Sequence, residues 1–291
     1  MKRINAPIWK PKKGERVADR IAFLDPNEKF EEIARLLYAY EFSWDIERAL
    51  EFALFRTYAV PAISSLLAKT GEFENRPRKR YDDTEIILAE TKEHGLESRR
   101  GTEAIARMNE MHARYRISNT DMLYVLSTFI CEPIRWLDRF GRRPMTNKEQ
   151  LAWFRYYRGL GSRMGISALP DSLEDMVRFN VNYETERFRF SETNATVAQS
   201  TVNLLLSFYL PRPLIPLGRP VVHALLDAPL RESMGFQKPP SWLCRAVPTV
   251  LRLRAFALRR LPLRRKPRLL TQVPRPTYPQ GYDISRLGTF R

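Results

Sequence analysis

His112 stands on a helix-spaced apolar stripe, with Met108 one turn before it and Ile105 two turns before it. Side chains at those spacings stack on one helical face, so the imidazole is expected to point into the protein. There it is either a core residue bonded to backbone carbonyls or a ligand with a ring nitrogen to offer. Upstream, in Lys79-Arg80-Tyr81-Asp82-Asp83-Thr84, Arg80 and Thr84 are four residues apart and share a helix face. If the two helices pack together, a metal-competent nitrogen meets a guanidinium and a hydroxyl, an arrangement suited to a haem pocket. Each partner also has a plainer use. Arg80 can pair with Asp82 or Asp83, and Thr84 can bond to its own backbone in a first helical turn. His94, just before Gly95, suits the terminal carbonyls of a helix, and His223 lies in an apolar run; neither is as good a ligand candidate as His112.

The elements that must position these residues read as helices throughout. Asp25-Pro-Asn-Glu28 combines a cap, a proline at the first helical position and a glutamate at the third, which predicts a helix over 26–40. Further helices are expected over 44–58 and 63–69, the latter stopped at Gly71. The candidate residues fall on helices over about 82–93 and 103–115, separated by Gly95 and Gly101, with Arg80 at the start of the first. Residues 121–140 form a long apolar helix that Pro133 should kink, and its Ser127 and Thr128 are better placed to bond back to the preceding turn than to line a pocket. Thr146-Asn-Lys-Glu149 is a capping box for a helix to about 164, Ser172 begins one running toward 190, and a helix over 194–208 gives way to Pro211, Pro213, Pro216 and Pro220. The apolar stretch 204–230 is either a core-packed connector or a greasy surface open to a lipid-soluble substrate.

With 291 residues, 44% of them hydrophobic, the chain can bury one large core. The expected fold class is all-α, a single multi-helix globular domain with a proline-rich, basic C-terminal extension. Its parts are an N-terminal arm (1–24), the helical domain (25–232), and a basic helix and tail (233–291) packed on the domain or extending from it. Cys131 and Cys244 have no paired spacing, which argues against a zinc site or a disulfide framework and for a reducing compartment. The first residues lack the apolar core of a secretory signal, and no apolar run reaches the approximately 20 residues of a spanning helix. A cytoplasmic protein is expected, soluble or peripheral at the inner face of a membrane.

The net charge of +16 is concentrated near the C-terminus, where residues 233–282 contain no aspartate or glutamate. Arg245, Arg252, Arg254, Arg259 and Arg260 alternate there with Leu251, Leu253, Phe256, Leu258 and Leu261, and Leu263, Leu269 and Leu270 follow. Such a segment is either an ordinary docked helix or one that meets an anionic membrane surface, its leucines sinking while its arginines reach headgroups. No motif for specific nucleic-acid recognition is present, so nucleic acid could bind only through nonspecific, salt-sensitive attraction. After Pro267 the prolines leave a tail that either wraps the domain or hangs loose.

No phosphate-binding glycine loop, nucleophile elbow, H-E-x-x-H or paired cysteine cluster occurs, so the common nucleotide, hydrolase and zinc mechanisms lack their residues. From about Phe52 to Gly165 the chain resembles the MpaB-type and rubber (latex-clearing) oxygenase catalytic domains, closer to the MpaB-like branch. The segments that carry this are Tyr58-Ala-Val-Pro61, Lys79-Arg-Tyr-Asp-Asp-Thr84, Arg107-Met-Asn-Glu-Met-His112, Arg116 through Phe129, and Arg135-Trp136 with Phe140-Gly141. The likeness continues more loosely to Tyr278-Pro-Gln-Gly-Tyr282. It implies haem b, with His112 as axial iron ligand and Arg80 and Thr84 as an arginine-x-x-x-threonine pair beside it. It also implies oxidation or cleavage of a C=C bond in an isoprenoid or other lipid-like substrate with dioxygen. Asp83 stands where the rubber oxygenases have lysine, and their catalytic glutamate has no clear counterpart. The alternative is a non-catalytic peripheral membrane-interaction protein built on the same helical fold.

Overall fold

The computed structural model describes residues 9, 15–262 and 264–288, so most of the expected arm before Glu15, and Leu263 in the basic segment, lie outside the described residues. The helices are α1 (Val17–Ala22), α2 (Phe30–Leu36), α3 (Ser43–Thr57), α4 (Pro61–Lys69), α5 (Glu72–Asn75), α6 (Pro77–His94) and α7 (Arg99–His112). They continue as α8 (Asn119–Phe140), α9 (Asn147–Arg163), α10 (Leu173–Arg187), α11 (Glu192–Ser207), α12 (Ile215–His223), α13 (Ala228–Ser233) and α14 (Ser241–Arg260). The chain is one all-α globular domain. At its centre α3 lies along α8, with Ile46, Ala49 and Ala53 buried from one helix and Leu126, Ile130 and Leu137 from the other. On a flank α9 packs against α2 and α8, and α6 packs against α7. Two buried aromatic rings on α9 have their polar ends satisfied, since Trp153 donates to the Phe129 carbonyl and the Tyr156 hydroxyl meets Thr91, whereas the buried Tyr157 hydroxyl has no partner.

Local signals placed most helix starts. Thr146 and Glu149 exchange the two bonds of a capping box, and Ser98, Ser118, Ser172 and Ser191 cap α7, α8, α10 and α11 through their hydroxyls. The helix expected over 26–40 differs. Asp25 uses its carboxylate on the Asn27 amide at 2.8 Å, and its carbonyl closes a turn onto Lys29, so α2 begins only at Phe30. It then widens into one π-helical turn over Leu37–Glu41, where the Phe42 amide reaches back to the Leu37 carbonyl. The α6 helix begins at Pro77, earlier than expected, because a proline at the first position loses no internal bond. Arg80 therefore lies within the first turn. α8 continues through Pro133 to Phe140.

Two glycines make the corner that sets α7 against α6. Gly95 ends α6 at φ +95°, a conformation open to glycine, and a Cβ on Gly101 would fall inside contact distance of the Gly95 carbonyl oxygen. The backbones can approach this closely only because Gly101 has no side chain.

After α14 the chain returns over α6, and Leu270, Ile284 and Leu287 enter the main core. This tail satisfies a row of carboxylates on α6. Asp82 accepts from Arg275 at 3.1 Å and Thr277 at 2.6 Å as well as from Arg78 at 3.0 Å. Asp83 pairs with Lys79 at 2.8 Å and accepts from the Tyr278 hydroxyl. Glu90 holds Arg100 and the Tyr282 hydroxyl, and Glu93 accepts from the Leu270 amide at 2.6 Å and from Thr271. Among the described residues no single helix is long and apolar enough to cross a membrane; α3 and α4 reach that composition only jointly, across a 98° bend.

Two stability outcomes follow from this packing. Arg275→Ala, which removes a buried cation from a buried carboxylate, should lower the unfolding free energy by about 3 kcal/mol in urea titrations and make the tail protease-sensitive first. Gly101→Ala should cost about 1–3 kcal/mol by the same measurement, because it is the Gly95 backbone that must give way.

Candidate functional site

Arg80 and Thr84 face away from the tail on α6, and α7 brings His112, its last residue, toward the same side. Ile105 and Met108 are buried along the stripe that leads to it, as the spacing predicts. The imidazole is half-buried, and its Nδ1 atom is shut off from solvent without a hydrogen-bond partner. Burial, reinforced by the nearby positive charge of Arg80, lowers its pKa to about 4. At neutral pH the ring is therefore uncharged, the form in which imidazole ligates metals.

Arg80 makes no ion pair with Asp82 or Asp83, because those carboxylates are turned toward the tail and taken up by Arg78, Arg275 and Lys79. Its guanidinium donates to the Thr84 hydroxyl and lies over the Phe73 ring at 5.6 Å. Thr84 in turn donates to the Arg80 carbonyl at 2.9 Å, the local backbone bond expected of it, made one turn further into the helix than expected because α6 begins at Pro77. Tyr58, at the end of α3, is buried against Phe73 with ring centroids 5.5 Å apart. Its hydroxyl pKa is raised by burial against the opposing influence of Arg80 and of Thr201 on α11. Phe73 and Tyr58 thus complete the surroundings of Arg80. Tyr58 belongs to the Tyr58-Ala-Val-Pro61 segment, but only the fold shows what it touches.

Thr84 also borders a small cavity of about 40 Å³ with Leu88 and Lys92, three residues at four-residue spacing on α6, and with Glu51, Tyr81 and Glu85. Burial pushes the Lys92 ammonium down to about 7 despite Glu93 and Glu85 nearby. Burial likewise raises Glu51 to about 8, although Arg48 and the Tyr81 hydroxyl oppose the shift. The spacing of Thr84, Leu88 and Lys92 could have revealed this face in the sequence; the partner Glu51, on α3, could not be found that way. A larger cleft of about 320 Å³ lies elsewhere, walled by Phe52, Trp136 and Phe140 and by Arg56, Arg135 and Glu184. His112 and Arg80 line neither of these two spaces.

The other histidines are differently engaged. His94 Nε2 lies 3.5 Å from a Glu90 carboxylate oxygen, at the helix end where it was expected. His223 stacks on Phe236 at 4.1 Å, and its Nε2 is buried without a partner, so it is the second histidine with an unused nitrogen. Cys131 and Cys244 are both free. Among the described residues no group of three or more His, Cys, Asp and Glu side chains is placed to hold a metal ion.

The all-helical domain can be set beside the known proteins that the chain matches. Residues 50–260 fit the family described as the ER-bound oxygenase mpaB/B'/rubber oxygenase catalytic domain. The chain is 32% identical over 231 residues to the ER-bound oxygenase mpaB' of Penicillium brevicompactum, covering 72% of this chain and 54% of that protein. It is 32% identical over 213 residues to the ER-bound oxygenase mpaB of Penicillium roqueforti, covering 67% of this chain and 71% of the relative. Against the mpaB of Penicillium brevicompactum the identity is 31% over 211 residues, 65% of this chain and 53% of the relative. The chain belongs to this oxygenase family, on its MpaB side, and its match spans about half the length of two of these relatives.

The His112 environment can be read by titration. Its imidazole NMR signals should shift with a midpoint near 4, and in Arg80→Gln the midpoint should rise yet stay below the ordinary 6.5, because burial remains. The folded value is the lower one, so the unfolded chain binds this proton first. The stability contribution is complete above pH 6.5 and is lost as pH falls from there toward 4.

Proposed function

We propose that the protein is a haem b-dependent oxygenase that oxidises or cleaves a C=C bond of an isoprenoid or other lipid-like substrate with dioxygen. The observation that carries this is the buried, unpartnered Nδ1 of an imidazole held neutral beside Arg80. A buried polar atom left unbonded is costly, and a ligand group on this side of the protein would remove that cost. His112 would hold the iron through its ring nitrogen. Arg80, with no carboxylate partner among the described residues, would meet a propionate carboxylate or a polar oxygen at the site. Thr84 would keep the guanidinium in place and offer its hydroxyl as a second hydrogen-bonding group. When bound, haem b supplies the redox chemistry that activates dioxygen for attack on the double bond. The buried Tyr58 and Phe73 rings beside Arg80 favour an apolar substrate.

Purified protein reconstituted with hemin should show a Soret band and about one haem per chain. His112→Ala should abolish the band, whereas His94→Ala and His223→Ala should retain it. Loss of the band in His223→Ala alone would move the ligand to α12. Wild-type protein that takes up no hemin would leave the non-catalytic membrane-interaction reading in its place.

A further inference from the structure

We propose that the outward face of α14, continued by α12, is a docking surface for an anionic lipid bilayer. The inner side of α14 is fixed. Ala255 is buried, and Arg254 pairs with Asp45 at 2.9 Å while lying over the Trp44 ring. With that side anchored, helix periodicity turns the opposite face to solvent. On it stand Trp242, Val250, Leu253 and Phe256, exposed by 64%, 62%, 62% and 51%. Beside α14, α12 exposes Leu217 by 74%, one turn from the exposed Val221. Exposed apolar side chains of this size on two helices that contact each other mark an interaction surface.

The charge on this surface selects the occupant. Arg245, Arg252 and Arg259 repeat every seven residues and so form a row along one edge of the apolar stripe, and all three are exposed. Arg245 and Arg252 have no carboxylate partner among the described residues, and Arg264, Arg265 and Lys266 follow in the exposed segment beyond α14. The stretch 233–282 contains no acid. A second copy of the chain would bring two such arginine rows and two +16 charges together. Nucleic acid would match the arginines but leave the aliphatic stripe in water. An anionic bilayer satisfies both halves, burying the leucine, phenylalanine and tryptophan in the acyl boundary while the arginines reach lipid phosphates and carboxylates. This surface needs no haem, so the proposal stands or falls separately from the catalytic one.

The test is vesicle co-sedimentation of the full chain, with neutral phosphatidylcholine vesicles and with vesicles containing about one third phosphatidylserine. Binding is expected to the anionic vesicles only, and to weaken at least about tenfold between low and high salt and in Arg245→Ala/Arg252→Ala. Leu253→Asp/Phe256→Asp should lose binding to a similar extent; both side chains are solvent-exposed, so the thermal midpoint should remain that of the wild type. Failure to bind anionic vesicles, or binding unchanged in the two double variants, overturns the proposal. So does a sedimentation-velocity dimer that Leu253→Asp dissolves in a protein without vesicle affinity. Tight, salt-sensitive DNA binding with no vesicle binding would overturn it as well.

Discussion

The fold depends on burying a row of carboxylates along one face of α6. Asp82, Asp83, Glu90 and Glu93 are all nearly closed to solvent, and burying ionised groups is tolerable only when each is paired or hydrogen-bonded. Local bases answer part of the demand, through Arg78, Lys79 and Arg100. The remainder comes from nearly two hundred residues away, where Arg275, Thr277, Tyr278, Tyr282 and the Leu270 amide close over the helix. This network ties the last part of the chain to the middle of the domain. It also explains why Ile284 and Leu287 reach the core although the tail contains little regular structure.

The same helix sets the chemistry on its other face. Because the acids are directed at the tail, Arg80 is left with a threonine hydroxyl and two aromatic neighbours in place of a carboxylate. Its charge then acts on His112 unneutralised and joins burial in keeping that ring unprotonated. A carboxylate in place of Thr84 would neutralise that charge and leave burial alone to hold the ring unprotonated. Tail packing and the protonation of the His112 imidazole are thus two consequences of how one helix divides its polar residues between its faces.

The arginines of α14 divide in a comparable way. Arg254 is used internally, against Asp45 and Trp44, and holds the helix to the domain, while Arg245 and Arg252 remain outside with the exposed apolar stripe. An amphipathic helix normally buries its apolar face. Here Ala255 is the residue buried and bulkier side chains face out, a distribution more suited to a second apolar phase than to water.

Much of this was legible in the residues themselves. Serine and threonine caps, the Thr146–Glu149 box and the 3.6-residue periodicity act within a few positions, so they fixed an all-helical chain and placed His112 on the stripe of Ile105 and Met108. Reading stopped where a choice depended on distant partners. Arg80 could pair with its neighbouring aspartates or leave them to Arg275, and the C-terminal prolines could wrap or hang free. Glu51 could not be connected with Thr84 at all. Only tertiary packing decided these, because a buried charge takes the partner that completes its hydrogen bonds, and that partner can come from anywhere in the chain.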